Sequence, residues 1–162
     1  MELQKIRTIY RSTERLTVLL LIVALPAFAM VYLYQTSGKV DWGLPQLPEF
    51  FEWTLAGFTV MILVFHYVLF HRGIAAARGQ AELTEKVKIY CQATRQRFWI
   101  LFLVSLLATI GLLLSENPIF TLIFAVTMVF FSLGKPSPDR MTRLMRLKKE
   151  DRELLIEASR PE

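Results

Sequence analysis

The 162-residue chain has the length of one ordinary domain, but its composition does not fit a water-soluble one. Apolar residues make up 54% of the chain, and its polar residues are gathered into blocks between apolar runs. Lysine and arginine outnumber aspartate and glutamate by 19 to 14, and these positive charges flank the apolar runs. Because that placement is typical of integral membrane proteins, we expect no nucleic-acid partner.

The first apolar run covers residues 16–35 and contains no charged residue. A bilayer core about 30 Å thick needs roughly 20 helical residues, so this run predicts a transmembrane helix. It lacks the cleavage site of a signal peptide, and we expect it to stay in the protein. Pro26 removes one backbone hydrogen bond and predicts a kink. Such kinks serve gating in some transporters and plain packing in other spans.

Residues 36–52 are predicted to form an external loop, which Pro45 and Pro48 keep irregular. Its aromatic residues favour the headgroup region, so we expect the loop to lie on the membrane surface. The second predicted span covers residues 53–71.

His66 is the one ionisable residue in the interior of that second span. An ionisable group inside a membrane is a functional candidate by default. One interpretation is a neutral imidazole bonded to a hydroxyl on a neighbouring helix, such as Ser105 or Thr109. The other is a proton relay or a metal ligand.

Residues 72–97 predict a cytoplasmic helical hairpin, because apolar residues recur there at helical spacing. A third span is predicted over residues 98–115, a tight turn over 116–118, and a short fourth span over 119–134. In the turn, Asn117 suits a helix cap and Pro118 suits the first helical position.

Small residues predict where the third and fourth spans contact their neighbours. Ser105, Ala108, Gly111 and Ser115 fall on one side of the third, and Thr121 and Ala125 on one side of the fourth. Because small side chains let helix backbones approach closely, both faces are expected to be helix–helix contacts.

Residues 1–15 predict an amphipathic segment, and residues 135–162 a basic amphipathic helix starting at Ser137-Pro138-Asp139. Arg140, Arg143 and Arg146 are candidate contacts for anionic lipid headgroups on the cytoplasmic face or for the acidic surface of a partner. The alternative interpretation is that these arginines only add to the positive charge that orients the chain in the membrane.

The distribution of basic residues orients the chain. Of its lysines and arginines, only Lys39 falls in a segment assigned to the outer face. By the positive-inside rule we expect both termini and the hairpin in the cytoplasm, with the protein in the plasma or inner membrane.

Motifs of membrane enzymes are missing from the sequence. There is one cysteine, Cys91, so neither a disulfide nor a CxxC pair can form, and no HExxH motif occurs. The first span lacks the acidic residue of small multidrug exporters. We therefore expect no catalytic residue, metal or cofactor.

The sequence as a whole predicts an all-α, four-helix membrane bundle with extended cytoplasmic helices. It favours a non-enzymatic protein that is a small structural or interaction subunit of a membrane assembly, or a self-associating scaffold. Its expected partners are the lipid bilayer and either another protein or further copies of the chain. The alternative is an oligomeric channel or transporter whose path is lined by His66, Ser105 and Thr109.

Overall fold

A computed structural model describes residues 2–38, 43 and 45–159. All regular structure in these ranges is helical, which confirms the all-α part of the predicted fold class. The helices are α1 (Glu2–Ser37), α2 (Glu49–Arg78), α3 (Leu83–Ser115), α4 (Pro118–Gly134), α5 (Pro138–Met145) and α6 (Lys149–Ser159). The part of the predicted external loop that contains Lys39, Asp41 and Trp42 lies outside the described residues.

Among the residues that the structure describes, three helices are long and apolar enough to cross a membrane: α1 with 36 residues, α2 with 30 and α3 with 33. The fourth, α4, is strongly apolar but has only 17 residues. At 1.5 Å of rise per residue it is about 26 Å long, slightly less than a typical bilayer core. The described part of the chain therefore has three helices of membrane length and a fourth apolar helix that is shorter.

The loop between α1 and α2 is shorter than the sequence predicts. α2 begins at Glu49, so the end of the predicted 36–52 loop is helical. The carbonyl of Pro48 accepts the backbone N–H groups of Phe51 and Glu52, which starts the first turn. Glu49 and Glu52 lie in that turn, where negative charge stabilises the helix dipole.

The C-terminal tail contains two helices where the sequence predicts one. α5 ends at Met145 and is capped by Arg146, whose φ of 52° is in the left-handed region. The N–H groups of Arg146 and Leu147 both bond to the carbonyl of Thr142. Because the apolar spacing continues on both sides of Arg146, periodicity alone does not reveal this break.

The described residues belong to two compact units. Unit 1 comprises Met1–Val18, Tyr67–Phe98 and Gly134–Glu162, and unit 2 comprises Leu19–His66 and Trp99–Leu133.

Unit 1 has an apolar core to which each of its three segments contributes. The core residues are Ile6, Tyr10, Phe70, Ile74, Ala77, Val87, Tyr90, Cys91, Ala93, Met141, Met145, Leu155 and Ala158. Hydrogen bonds from side chains to backbone carbonyls also connect these segments. The Tyr10 hydroxyl donates to the carbonyl of Pro136 at 3.1 Å, and the Arg78 Nε to that of Leu144 at 2.7 Å.

Unit 2 is apolar on its exterior as well as inside. Large side chains that are at least half exposed include Leu19, Ile22, Met30, Leu33, Phe58, Met61, Val64, Phe65, Leu122 and Val129. In water such a surface would be strongly unfavourable, whereas lipid chains solvate it well.

Inside unit 2, three of the four small residues predicted on the contact face of α3 are buried, Ser105, Ala108 and Gly111, and Ser115 is half-buried. The prediction for α4 is wrong for Ala125, which is exposed, whereas Thr121 is half-buried and the helix buries Phe120. The Phe120 ring fills the space that a Cβ atom on Gly111 would occupy. The bulky Phe120 of α4 thus packs against the small Gly111 of α3. A contact between two faces of small residues does not predict this arrangement.

Candidate functional site

His66 lies on α2 inside unit 2, with no exposed surface. Its Nδ1 shares a hydrogen bond with the carbonyl of Leu63, one turn earlier in the same helix. Its ring meets that of Phe130 nearly edge-on, with the centroids 5.0 Å apart. The imidazole is therefore held by its own helix and by an aromatic ring.

The two hydroxyls predicted to accompany His66 are buried in the same unit. The Ser105 Oγ donates to the carbonyl of Phe102, and the Thr109 Oγ1 to that of Ser105, each at 2.7 Å. Both protons are thus used within α3, and the hydroxyl oxygens remain only as acceptors.

Two further buried threonines of unit 2 behave in the same way. Thr59 donates to the carbonyl of Leu55 and Thr127 to that of Ile123, each at 2.7 Å. The buried hydroxyls of this unit are therefore satisfied locally, as is common in membrane helices. A water-filled path would need donors turned toward its lumen.

Pro26 lies within α1 on an exposed part of its surface. The helix continues through this position, so the proline does not end it. Its exposed side is apolar, with Ile22 at 62% and Met30 at 73% exposure.

The three tail arginines occupy different positions. Arg140 is half-buried in the first turn of α5, where its N–H donates to the Ser137 Oγ at 3.3 Å. Arg143 is exposed on the same helix, and Arg146 forms the left-handed cap that ends it. Of the three, Arg140 alone is partly enclosed by the protein.

Arg97 is a buried cation that the sequence analysis did not single out. It is only 5% exposed, and its guanidinium carbon lies 4.6 Å from the centroid of the Phe70 ring. It also approaches Gly134, where an added Cβ would be 3.5 Å from that carbon. Spacing gives a clue to its burial, because Arg97 lies seven residues after Tyr90, on the apolar face of α3.

The pKa of Arg97 is lowered to about 10, mainly by burial and secondly by the positive charge of Arg140. Even so, the guanidinium is charged at neutral pH. Arg140 also acts on the Tyr90 phenol, so the three side chains form one electrostatic cluster in unit 1.

Cys91 is a buried thiol in the same unit. Burial raises its pKa to about 11, with the Thr13 hydroxyl acting in the opposite direction. At neutral pH the group is therefore a protonated thiol, which is a poor nucleophile and a poor metal ligand.

Metal-binding clusters were sought among His, Cys, Asp and Glu side chains. Within residues 2–38, 43 and 45–159, no three of these side chains lie close enough together to hold a metal ion. Comparison with known proteins adds no assignment: no protein-family model matches the chain, nor does any curated protein or solved structure.

Proposed function

We propose that the chain crosses the plasma or inner membrane four times, with both termini in the cytoplasm. We further propose that it is a non-enzymatic interaction subunit or scaffold that presents unit 1 to a protein partner or to another copy of itself. The observation that carries this proposal is the shared core of unit 1. It joins the N-terminal part of α1, the hairpin between α2 and α3, and the C-terminal tail.

That core supports the orientation. Ile6, Ala77, Val87 and Leu155 come from segments separated by the apolar helices, yet they contribute to one hydrophobic cluster. Segments that share a core cannot lie on opposite sides of a bilayer. If the apolar helices are spans, α1 and α2 must form one return crossing, and α3 and α4 another. The excess of lysine and arginine in these segments favours the cytoplasmic side.

The burial of polar groups favours an interaction protein over a channel. His66, Ser105 and Thr109 are at most 7% exposed within a single chain. A path formed between copies of the chain would instead be lined by the exterior of unit 2, which is largely apolar. Unit 1, by contrast, carries exposed charges suited to a protein surface, including Lys5, Lys88 and Lys149.

Purification from native membranes in mild detergent tests the proposal. We expect a partner, or a second copy of the chain, to be recovered at a fixed stoichiometry. Lys88→Glu changes the surface of α3 beside Glu85, which it pairs with at 3.2 Å, while Lys149→Glu makes the same charge change on α6. If the partner docks on the α3 side, only the first variant should reduce recovery. A docking surface on α6 would reverse this order.

The channel alternative predicts a different result. A homo-oligomer that conducts ions in liposomes, and that loses conductance in His66→Ala but not in Arg143→Gln, would reject the interaction proposal. Membrane orientation is tested separately by protease protection of tags placed at the two termini. Cleavage of the two tags from opposite sides would contradict the proposed topology.

A further inference from the structure

We infer that two copies of this chain bind each other through unit 1, with an exposed face of α6 on one copy seated in a groove between α1 and α3 on the other. This pairing rests on the proposed function, in which unit 1 is presented to a partner or to another copy, and it specifies the two surfaces that meet.

The face on α6 contains one large apolar side chain. Leu154 is 44% exposed, and no other large apolar residue among 135–159 is exposed. Unit 1 otherwise gathers its apolar side chains into a shared core, which removal from water stabilises. A second surface that covers Leu154 gains the same stabilisation, so this leucine is suited to anchor a contact.

Acidic residues surround Leu154 on the same side of the helix. Glu150, Glu153 and Glu157 are all exposed, and at 3.6 residues per turn they share an arc of about 100° with Leu154. Arg152 lies outside this arc and approaches Asp139 of α5 at 3.8 Å. The face therefore presents three carboxylates around one leucine.

The groove lies between the first turns of α1 and the start of α3, and its volume is about 530 Å³. Lys5 and Ile9 line it from α1, and Thr84, Glu85 and Lys88 line it from α3. Ile9 is half-buried and supplies apolar surface that a leucine can contact. The volume is ample for one leucine and parts of the side chains beside it.

The charges of the groove are complementary to those of the α6 face. Lys5 and Lys88 are exposed on its two walls, and Glu85 lies 3.2 Å from Lys88, which offsets its carboxylate. The two side chains of that pair are 58% and 44% exposed, so it is weak and can rearrange on binding. Contact between the lysines and the glutamates of α6 selects the partner and its orientation, while burial of Leu154 holds it.

The membrane favours this contact. Because both surfaces belong to unit 1, copies that share one orientation present them on the same side of the bilayer. Confinement to a membrane raises the effective concentration of the copies, so a contact of modest strength is sufficient to hold them. A two-fold axis normal to the membrane forms the contact twice and closes the complex as a dimer.

The test measures energy transfer between donor-labelled and acceptor-labelled copies of the full chain in liposomes, at a fixed ratio of protein to lipid. The α6 variant combines Glu153→Lys with Glu157→Lys, and the groove variant combines Lys5→Glu with Lys88→Glu. Glu82→Lys reverses an exposed acid outside both surfaces and is the matched control. Circular dichroism monitors the fold of each variant.

We expect the α6 variant and the groove variant, each alone, to associate at least about tenfold more weakly than the wild type, and Glu82→Lys to stay within about twofold. An equal mixture of the two variants should recover association, because every contact then joins opposite charges. A misfolded variant would not be rescued in this way. Leu154→Ala should also weaken association while the chain stays folded.

Wild-type association that neither double variant weakens would overturn the inference but leave a scaffold that associates through another surface. Weakening without recovery in the mixture would reject the pairing of the groove with α6. Absence of energy transfer between wild-type copies would overturn it as well. In that case, recovery of a different protein at fixed stoichiometry would keep the proposed interaction function, and recovery of none would reject that function too.

Discussion

The two units of this chain differ in how far their apolar side chains are exposed. Unit 1 buries them: Leu155 is 1% exposed, while Lys148 and Lys149 lie on its surface. Unit 2 also displays them, with Val64 62% and Leu122 60% exposed, and it buries hydroxyls and an imidazole. The difference indicates two solvents, water around the first unit and hydrocarbon around the second.

Different forces then hold the two units together. In unit 1 removal of apolar surface from water is the main stabilising term. Lipid chains provide no such driving force, so unit 2 depends on close van der Waals packing. Substitutions of matched residues should therefore have different effects in the two units.

The largest effect is expected in the core of unit 1. Leu155→Ala should reduce the free energy of unfolding by about 2–5 kcal/mol, because it leaves a cavity in a water-driven core. Leu154→Ala, at the adjacent but 44% exposed position, should change it by less than about 1 kcal/mol. Denaturant unfolding of the purified chain measures both. Similar losses in the two variants would show that α6 does not pack in the way described.

A charged residue introduced on the exterior of each unit tests whether water or hydrocarbon surrounds that unit. Val64→Asp places a carboxylate on the exposed face of α2 and should oppose membrane insertion by about 3 kcal/mol. Leu154→Asp makes a comparable change on unit 1 and should leave insertion unaffected. The carbonate-resistant membrane fraction reports the result. Full insertion of Val64→Asp would contradict lipid exposure of that face.

Packing inside unit 2 is tested at its glycines. Gly111→Ala forces the Phe120 ring aside, and we expect a loss of about 1–3 kcal/mol. Gly57→Ala has open space around it and should be neutral or stabilising by up to about 1 kcal/mol, since alanine favours helix. Unfolding in mixed micelles gives both values. A neutral Gly111→Ala would mean that α3 and α4 are not in close contact.

The smallest effect is expected at the start of α5. Ser137→Ala removes the hydroxyl that accepts the Arg140 N–H and should reduce stability by about 1 kcal/mol. Ser159→Ala, whose hydroxyl bonds near the end of α6, serves as control and should change stability by less than half as much. Thermal unfolding in detergent resolves the difference. A larger loss in the control would count against the cap.

The sequence predicts most of the helices, because apolar run length and capping residues act locally. The start of α4 at Pro118 follows from the cap, since the Asn117 Oδ1 accepts the N–H of Ile119 at 2.9 Å. The left-handed Arg146 is different, because nothing in its side chain favours a positive φ over continued helix. The tertiary contacts of the tail decide that conformation.

The candidate site was less predictable. His66 can be singled out from the sequence because it is the one ionisable residue in an apolar run. Arg97 does not stand out, because it is one of several basic residues between two spans. Its burial depends on Phe70 and Gly134, which are far from it in the sequence. Contacts between distant segments cannot be obtained from spacing within one of them.

The hydroxyls of unit 2 have a consequence for how much its sequence can vary. Thr59, Ser105, Thr109 and Thr127 each donate to a carbonyl of their own helix. The hydroxyl protons are thus bonded within the same helix. These side chains therefore contact neighbouring helices mainly through van der Waals packing. Homologous or redesigned chains could replace all four by alanine or valine of similar size and keep the same interior, so a version of this bundle without the four hydroxyl groups should still assemble.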